Sequence, residues 1–228
     1  MVVNSRLKKN DIKKGDVGEK WREAVALYRQ SCQLGDGEGC DRAGFILYQR
    51  SGEGNGSVGR KLLKEAQTLF QKGCRLGYGW SCLHLAYSYQ YPSSPKVAQF
   101  QLSLYRRGCR LGVAQGCLDA GDSYRWGEGV GRNLSEALFY YQLGCRIGKG
   151  EECLRLGEFR EERGEFQKAL SLYTRLCRQK VREGCFRAAR LFSRHHRKGE
   201  GVEYYRKAAQ LGDWRAKQIL EKAGGKAD

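Results

Sequence analysis

Apolar side chains recur along the chain at the spacing of one helix face, and this arrangement occurs five times. Counting back from a cysteine, an aromatic residue always stands four positions earlier, and an alanine stands eight positions earlier in four of the five copies. Positions four and eight apart share one face of an α-helix, so each copy predicts an amphipathic helix that ends near its cysteine. The aromatic residues are Tyr28, Phe70, Tyr105, Tyr141 and Tyr173.

A tight turn and a second helix are predicted after each of these helices. Three residues past the cysteine stands a glycine in four copies, where it would adopt the left-handed conformation typical of a helix C-terminus. These residues are Gly35, Gly77, Gly112 and Gly148, and Lys180 replaces the glycine in the fifth copy. Four residues after a second cysteine comes a small residue, which would let two helices approach closely. The small residues are Gly44, Ala86, Gly121, Gly157 and Ala189.

All ten cysteines fall into C-x7-C pairs. The first cysteines of successive pairs are 42, 35, 36 and 32 residues apart, a period typical of stacked helical repeats. The two cysteines of a pair are expected to face each other at the neck of a helical hairpin. The pairs are Cys32 and Cys40, Cys74 and Cys82, Cys109 and Cys117, Cys145 and Cys153, and Cys177 and Cys185.

The predicted fold is therefore all-α, an α/α solenoid of hairpins over residues 20–222. A basic extension, 1–19, precedes it and a short tail, 223–228, follows it. The segment 203–220 repeats the helix–turn–helix theme with Ala209 and Ala216 in place of cysteines and a turn one residue shorter, as expected of a cysteine-free terminal cap. The glycine-rich segment 50–60 is expected to be an inserted loop.

The strict pairing favours five disulfide bonds, one in each hairpin. Ten buried thiols are one alternative, but they would not need a fixed spacing. Structural zinc sites are another, although they normally use C-x2-4-C elements, and the chain has no C-x2-C. No metal or cofactor site is predicted. His84 is expected to be a hydrogen-bonded core histidine, and the adjacent His195 and His196 are expected to lie in a solvated basic loop.

The net charge of +17 predicts an anionic partner: a protein with an acidic surface, with anionic lipid or RNA as alternatives. The chain contains no run of 18 apolar residues, so no transmembrane helix is predicted. The common catalytic motifs G-x-S-x-G, P-loop and H-E-x-x-H do not occur, so neither an enzymatic activity nor a small-molecule substrate is expected.

One repeat position is the best candidate for the contact with an acidic partner. The residue directly after the first cysteine is an arginine in four of the five pairs. Equivalent positions of a solenoid lie along one edge, so these arginines are predicted to form a row. The alternative is that each arginine only stabilises its helix C-terminus. The candidate edge consists of Arg75, Arg110, Arg146 and Arg178, with Arg106 and Arg107 beside them.

The segments EYYRKAAQLGDWRAK and ALFYYQLGCRIGKGEECLRLG resemble the Sel1-like repeats, relatives of the tetratricopeptide repeats. The second segment is similar to the cysteine-rich branch of that family, which includes exported Helicobacter proteins and a mitochondrial cytochrome c oxidase assembly factor. The resemblance covers about residues 20–222 and implies a repeat solenoid that binds other proteins.

The known members of this branch occur in two different compartments, so the resemblance implies two possible locations. The mitochondrial member has no cleavable presequence and resides in the intermembrane space, whereas the bacterial members carry signal peptides. Disulfide-type cysteines without a signal favour the intermembrane space, and a non-enzymatic assembly factor or peripheral subunit of a larger respiratory-chain complex. The alternatives are an RNA-associated protein of a mitochondrial ribosome, and a periplasmic or secreted bacterial protein with weak penicillin binding.

Overall fold

The computed structural model describes residues 17–54, 56–89, 94–148, 150–195 and 197–224, and every regular element within these ranges is an α-helix. The predicted all-α class is therefore confirmed. The chain divides into two compact units, unit 1 (Met1–Gln90) and unit 2 (Tyr91–Asp228). The prediction of one array over 20–222, with an extension and a tail, stays a prediction.

Within the described residues, unit 1 contains two helical hairpins and unit 2 contains four. The helices of unit 1 are α1 (Val17–Gln33), α2 (Gly37–Glu53), α3 (Ser57–Arg75) and α4 (Gly79–Tyr87). Those of unit 2 are α5 (Pro95–Arg110), α6 (Ala114–Trp126), α7 (Leu134–Gly148), α8 (Glu152–Glu162), α9 (Phe166–Arg178), α10 (Arg182–Arg194), α11 (Lys198–Gln210) and α12 (Trp214–Lys222).

The turns inside the hairpins repeat one hydrogen-bond pattern. In the second hairpin the amide of Gly77 donates to the carbonyl of Cys74 at 3.2 Å, and the amide of Tyr78 donates to that of Gly73 at 3.0 Å. Gly77 has φ +90°, and Gly35 and Gly112 have φ +94° and +84°. The predicted left-handed glycine is thus confirmed at these three positions, where glycine avoids the steric cost of a Cβ.

The other two turns differ from the prediction or extend it. Lys180 adopts the left-handed conformation itself, with φ +61°, and its turn keeps the same hydrogen bonds. The prediction of a left-handed cap at Gly148 is wrong, because α7 continues through this residue. The side chain of Glu152 lies over Gly148, with its Cδ 2.3 Å from the position that a Cβ would take.

Each hairpin predicted to carry a cysteine pair is closed by a disulfide bond. The Cα atoms of the pairs are 4.5, 4.7, 4.6, 4.2 and 4.4 Å apart in chain order, and no cysteine is free. The first cysteine lies in the last turn of the first helix and the second cysteine in the first turn of the second helix. The predicted placement at the hairpin neck is confirmed.

Successive hairpins pack through an aromatic ring laid against a small residue. A Cβ added at Gly44 would come within 2.8 Å of the ring of Phe70 in the next hairpin. The same holds for Gly121 and Tyr141 at 2.8 Å, and for Gly157 and Tyr173 at 2.4 Å. At these three pairs the close helix approach predicted from the small residues is confirmed.

Two local expectations are wrong. The segment 50–60 is not a long inserted loop, because α2 continues to Glu53 and α3 begins at Ser57. Gly59 allows this compact connection, since a Cβ there would come within 2.4 Å of the carbonyl oxygen of Gly54.

The turn of the cysteine-free hairpin is also not shorter than the others. Gly212 has φ +87°, and Asp213 caps α12 at the same offset at which Tyr78 precedes α4. In this register it is Lys217, not Ala216, that stands in the place of the second cysteine. Among the described residues, none of the helices is both long and apolar enough to cross a bilayer.

Candidate functional site

The four arginines of the predicted edge lie where their hairpins turn. Arg75, Arg110 and Arg178 are the last residues of α3, α5 and α9, and Arg146 lies in the last turn of α7. All four side chains are exposed. Within the described ranges, no carboxylate lies within 4.0 Å of any of them. They are free to bind an anionic group, and the same position also stabilises each helix by about 0.3–1 kcal/mol through the helix dipole.

The arginines fall in both units, with Arg75 in unit 1 and the other three in unit 2. Of their two predicted neighbours, Arg107 is exposed in the last turn of α5. Arg106 is held in place, since its Nε donates a hydrogen bond to the hydroxyl of Tyr140 at 3.1 Å. An edge that contacts an acidic partner therefore remains a prediction, and Arg106 is its most constrained member.

Unit 1 contains a cleft of about 410 Å³ that the sequence did not reveal. Its walls come from α1, α2, α4 and the turn between α3 and α4. Phe45 and Trp80 are 40% and 43% exposed, so their rings are open to solvent. The lining residues are Tyr28, Asp41, Arg42, Phe45, Ile46, Tyr78, Trp80 and His84.

A buried carboxylate lies at one wall of this cleft. Asp41 is only 6% exposed, and its Oδ1 accepts a hydrogen bond from Oγ of Ser81 at 3.0 Å. Nδ1 of His84 lies 2.8 Å from the same oxygen. The histidine is hydrogen-bonded as predicted, but it is half-buried at the cleft and not enclosed in the core. Its ring also lies 5.2 Å from that of Phe45 and 6.0 Å from that of Trp80, measured between centroids.

The charges around the cleft are mostly negative. Burial raises the pKa of Tyr78, and the negative charges of Glu38 and Asp41 raise it further. Arg42 opposes this effect, but its guanidinium is bound to Glu38, with Nη2 2.6 Å from Oε1. A protein of net charge +17 thus holds a local region in which carboxylates outnumber the free cations.

The polar groups of the cleft do not form a catalytic triad. A triad needs the histidine between the serine and the acid, whereas Asp41 here lies between Ser81 and His84. In the described part of the chain no three His, Cys, Asp or Glu side chains are grouped to hold a metal ion. His195 packs on Phe166 with ring centroids 4.6 Å apart, and His196 lies outside the described residues.

Sequence reasoning missed Asp41, Phe45, Tyr78 and Trp80. A signal was present, because Asp41 follows a cysteine that the repeat places on the buried side of α2. A buried acid needs a partner, and His84 stands at a nearby repeat position one hairpin later. Which aromatic rings surround this pair depended on side-chain contacts between helices that the sequence does not display.

A second groove, of about 390 Å³, lies between α1 and α3 of unit 1. Arg29 and Glu65 form an ion pair across it, with Nη2 2.7 Å from Oε2. Lys72 also lines this groove. Arg29 and Glu65 neutralise each other, and Lys72 leaves the groove with a net positive charge, so this groove would suit a different ligand from the aromatic cleft.

The family model of the Sel1 repeat matches residues 22–36, 44–78, 114–149 and 197–213. The predicted resemblance to Sel1 repeats is confirmed, with matched segments in both units, and the likeness to a mitochondrial assembly factor stays a prediction. No curated protein matches the chain in sequence.

Solved structures share the fold at low sequence identity. A Sel1 repeat protein from Oxalobacter formigenes is 16% identical with a TM-score of 0.66, over 90% of this chain and 88% of its own. A protective antigen of uropathogenic Escherichia coli with an SLR fold is 19% identical with a TM-score of 0.56 over 89% of this chain. The matched region is 52% of that antigen's length. Helicobacter pylori cysteine rich protein B is 26% identical over 62% of this chain and 98% of its own, with a TM-score of 0.45.

Proposed function

We propose that this protein, whose chain is built of Sel1 repeats, is a non-enzymatic scaffold that binds other proteins in the mitochondrial intermembrane space. Its role there would be that of an assembly factor or a peripheral subunit of a respiratory-chain complex. The binding function follows from the repeat fold, which exposes surface along both helices of each hairpin and is used mainly for protein recognition. The compartment and the complex are the finer parts of the proposal.

The five hairpin disulfides are the observation that supports the proposed compartment. Such bonds persist in oxidising compartments and are rare where glutathione and thioredoxin keep thiols reduced. Each one closes a nine-residue loop, which is worth about 2.6 kcal/mol in the chain-entropy model. A protein whose net stability is about 10 kcal/mol would depend strongly on five of them. The disulfides fit the intermembrane space and also the bacterial periplasm.

Two measurements on the native protein test this proposal. The first is subcellular fractionation, with free thiols trapped at lysis; we expect an oxidised protein in the intermembrane-space fraction. The second is chemical cross-linking in the intact fraction followed by isolation of the protein, which should recover a respiratory-chain complex. Ten free thiols in the native protein, or its location in a reducing compartment, would contradict the proposed location in the intermembrane space. Recovery of the protein without any partner would contradict the scaffold.

The net charge of +17 favours a second candidate, an RNA-associated protein. Contacts with phosphates release counterions, so RNA affinity should fall steeply as salt is added. For single strands each phosphate contact contributes about −0.7 to the slope of the logarithm of the binding constant against the logarithm of the salt concentration. Binding of a single-stranded RNA measured at several salt concentrations distinguishes the two candidates. Weak RNA binding that neither depends on the RNA sequence nor competes with the protein partner would leave the scaffold as the function.

A further inference from the structure

We propose that the aromatic cleft of unit 1 binds a basic side chain, an arginine or a lysine, presented by a peptide segment of a protein partner. The inference rests on the proposed scaffold function and names the chemistry that its partner would bring to one site. It concerns a different surface from the arginine edge, which would meet an acidic partner.

The cleft has the two features that recognition of an organic cation requires. Aromatic faces attract a cation through the electrostatic field of the ring, and the attraction strengthens when water is excluded. Phe45 and Trp80 provide two open faces on opposite helices, and Tyr28 and Tyr78 add further aromatic surface. The volume of about 410 Å³ is large enough for a long side chain and an adjoining stretch of backbone.

The buried carboxylate provides the counter-charge. The hydrogen bond from Ser81 and the contact with His84 both involve Oδ1 of Asp41, which fixes the carboxylate at the wall of the cleft. A buried carboxylate gains most from a cation that binds where water is scarce. Glu38 and Asp36 also act on the cleft, because both raise the pKa of Tyr78.

The same charges argue against an anionic ligand. Arg42 is the cation of the cleft, and it is already engaged: its Nε and Nη2 both donate to Oε1 of Glu38. It also lies over the ring of Tyr28, 5.9 Å from the centroid. An anion would have to displace this ion pair and approach Asp41. A cation would meet a fixed carboxylate and the solvent-exposed rings of Phe45 and Trp80.

The experiment is an NMR titration of the full chain with acetyl-Gly-Arg-Gly-amide, observing the indole N–H of Trp80. Peptides with citrulline or glutamate in place of arginine are the matched probes, and a lysine peptide tests the other cation. We expect a saturable shift with the arginine peptide and about tenfold weaker binding of the citrulline peptide, since the shape is kept and the charge is lost. The affinity for the arginine peptide should fall as salt is added.

Three variants complete the test, with the arginine peptide as probe. Asp41→Asn and Trp80→Leu should each weaken its binding about tenfold, whereas Trp214→Leu changes an exposed tryptophan of unit 2 and should leave it unchanged. For Asp41→Asn the shift of a different cleft residue, His84, is followed as well. The Trp80→Leu variant has no Trp80 indole, so its binding is followed by the chemical shift of His84 alone. It keeps the buried carboxylate of Asp41, so it tests the binding of the arginine peptide even if Asp41→Asn does not fold.

Equal affinity for the arginine and citrulline peptides, preference for the glutamate peptide, or no saturable shift with the arginine peptide would overturn the inference. Equal affinity would make the cleft a site for apolar groups. These outcomes do not touch the scaffold proposal, which is tested by cross-linking in the native fraction. Conversely, a protein isolated without partners would contradict the scaffold while the peptide titration still reports on the cleft.

Discussion

The ring of Tyr141 lies so close to the backbone of Gly121 that a Cβ added to the glycine would come within 2.8 Å of Cε1. This contact joins α6 of one hairpin to α7 of the next. The hydroxyl of Tyr141 donates a 2.5 Å hydrogen bond to Oδ1 of Asp122, which fixes the ring in place. Burial raises the pKa of Tyr141, and the bond to Asp122 raises it further, so the hydroxyl stays protonated as the donor.

Replacement of the glycine should therefore destabilise the protein. We expect Gly121→Ala and Gly157→Ala to lower the free energy of unfolding by about 1–3 kcal/mol, since each methyl group must displace a fixed tyrosine ring. Urea unfolding followed by circular dichroism measures this change. Gly52→Ala in α2 is the control, because nothing lies within 4 Å of its added Cβ. It should be neutral or stabilising, and equal losses in all three variants would contradict the packing explanation.

The left-handed conformation of Lys180 should cost stability. At this position four other hairpins have glycine, which adopts a positive φ without the steric cost that a Cβ brings. We expect Lys180→Gly to raise the free energy of unfolding by about 1 kcal/mol. Gly112→Ala is the reciprocal variant. The space around an added Cβ is open there, so any loss of stability would come only from the strained backbone conformation. A destabilised Lys180→Gly protein would show that the lysine side chain contributes more than its backbone costs.

The disulfides should be visible as a mass difference. Reduction of five bonds adds ten hydrogens, and intact mass spectrometry before and after a reductant measures this number. Removal of one bond by the paired changes Cys177→Ala and Cys185→Ala should lower the free energy of unfolding by about 2.6 kcal/mol. An unchanged mass after reduction would mean that the native chain carries free thiols.

Unit 2 should lose stability in acid through a buried ionic network. Burial opposes ionisation of Asp213 and Glu183, but several lowering effects together outweigh it, so the pKa of each carboxyl lies below its ordinary value. Arg215 acts on both carboxyls, Arg187 also acts on Glu183, and backbone amides act on Asp213. Nη2 of Arg215 lies 2.6 Å from Oδ2 of Asp213 and 2.5 Å from Oε2 of Glu183. A folded pKa below the unfolded value means that the stabilisation is present above about pH 5 and is lost as the pH falls through the folded pKa.

Unfolding by urea at pH 7 and at pH 3 tests this relationship. Asp213→Asn and Glu183→Gln should each reduce the difference between the two pH values by about 1 kcal/mol, because a neutral side chain has no proton to gain. Glu203→Gln is the control: Glu203 pairs with Lys207 on the exposed face of α11, where solvent screens the interaction. A pH difference that none of the variants changes would place the acid sensitivity elsewhere.

The arginine edge can be tested within unit 2 alone. We expect the triple charge reversal Arg110→Glu, Arg146→Glu and Arg178→Glu to abolish association with an acidic partner without unfolding the protein. Each exposed pair is worth about 1 kcal/mol or less, but three acting together shift an affinity by orders of magnitude. The matched control reverses three exposed cations elsewhere in unit 2, Lys198, Arg206 and Lys217.

The same variants separate binding from helix capping. Normal partner binding combined with a lower melting temperature for the arginine triple would identify these residues as helix caps. Equal loss of binding in both triples would mean that only the overall charge matters. Arg75→Glu in unit 1 is measured separately, so that the contribution of each unit is known.

The sequence alone determined the hairpins, most of their turns and their disulfides. It could do so because a helix repeats every 3.6 residues, a left-handed cap favours glycine and a disulfide needs two nearby cysteines, and all three depend on residues close together in the chain. The small residues at Gly44, Gly121 and Gly157 even predicted where helices approach. The errors at Gly148 and at 50–60 arose where glycines lie inside a helix or a compact connection and do not mark a turn or a long loop.

Only the tertiary structure decided what surrounds those hairpins. The cleft brings Tyr28, Asp41, Tyr78 and His84 together from four different segments, and a pattern read along the chain cannot show which side chains meet in space. The carboxylate of Asp41 on α2 is buried against α4, where Ser81 and His84 contact it. Its partners follow from that packing, and so does the chemistry that the cleft offers to a ligand.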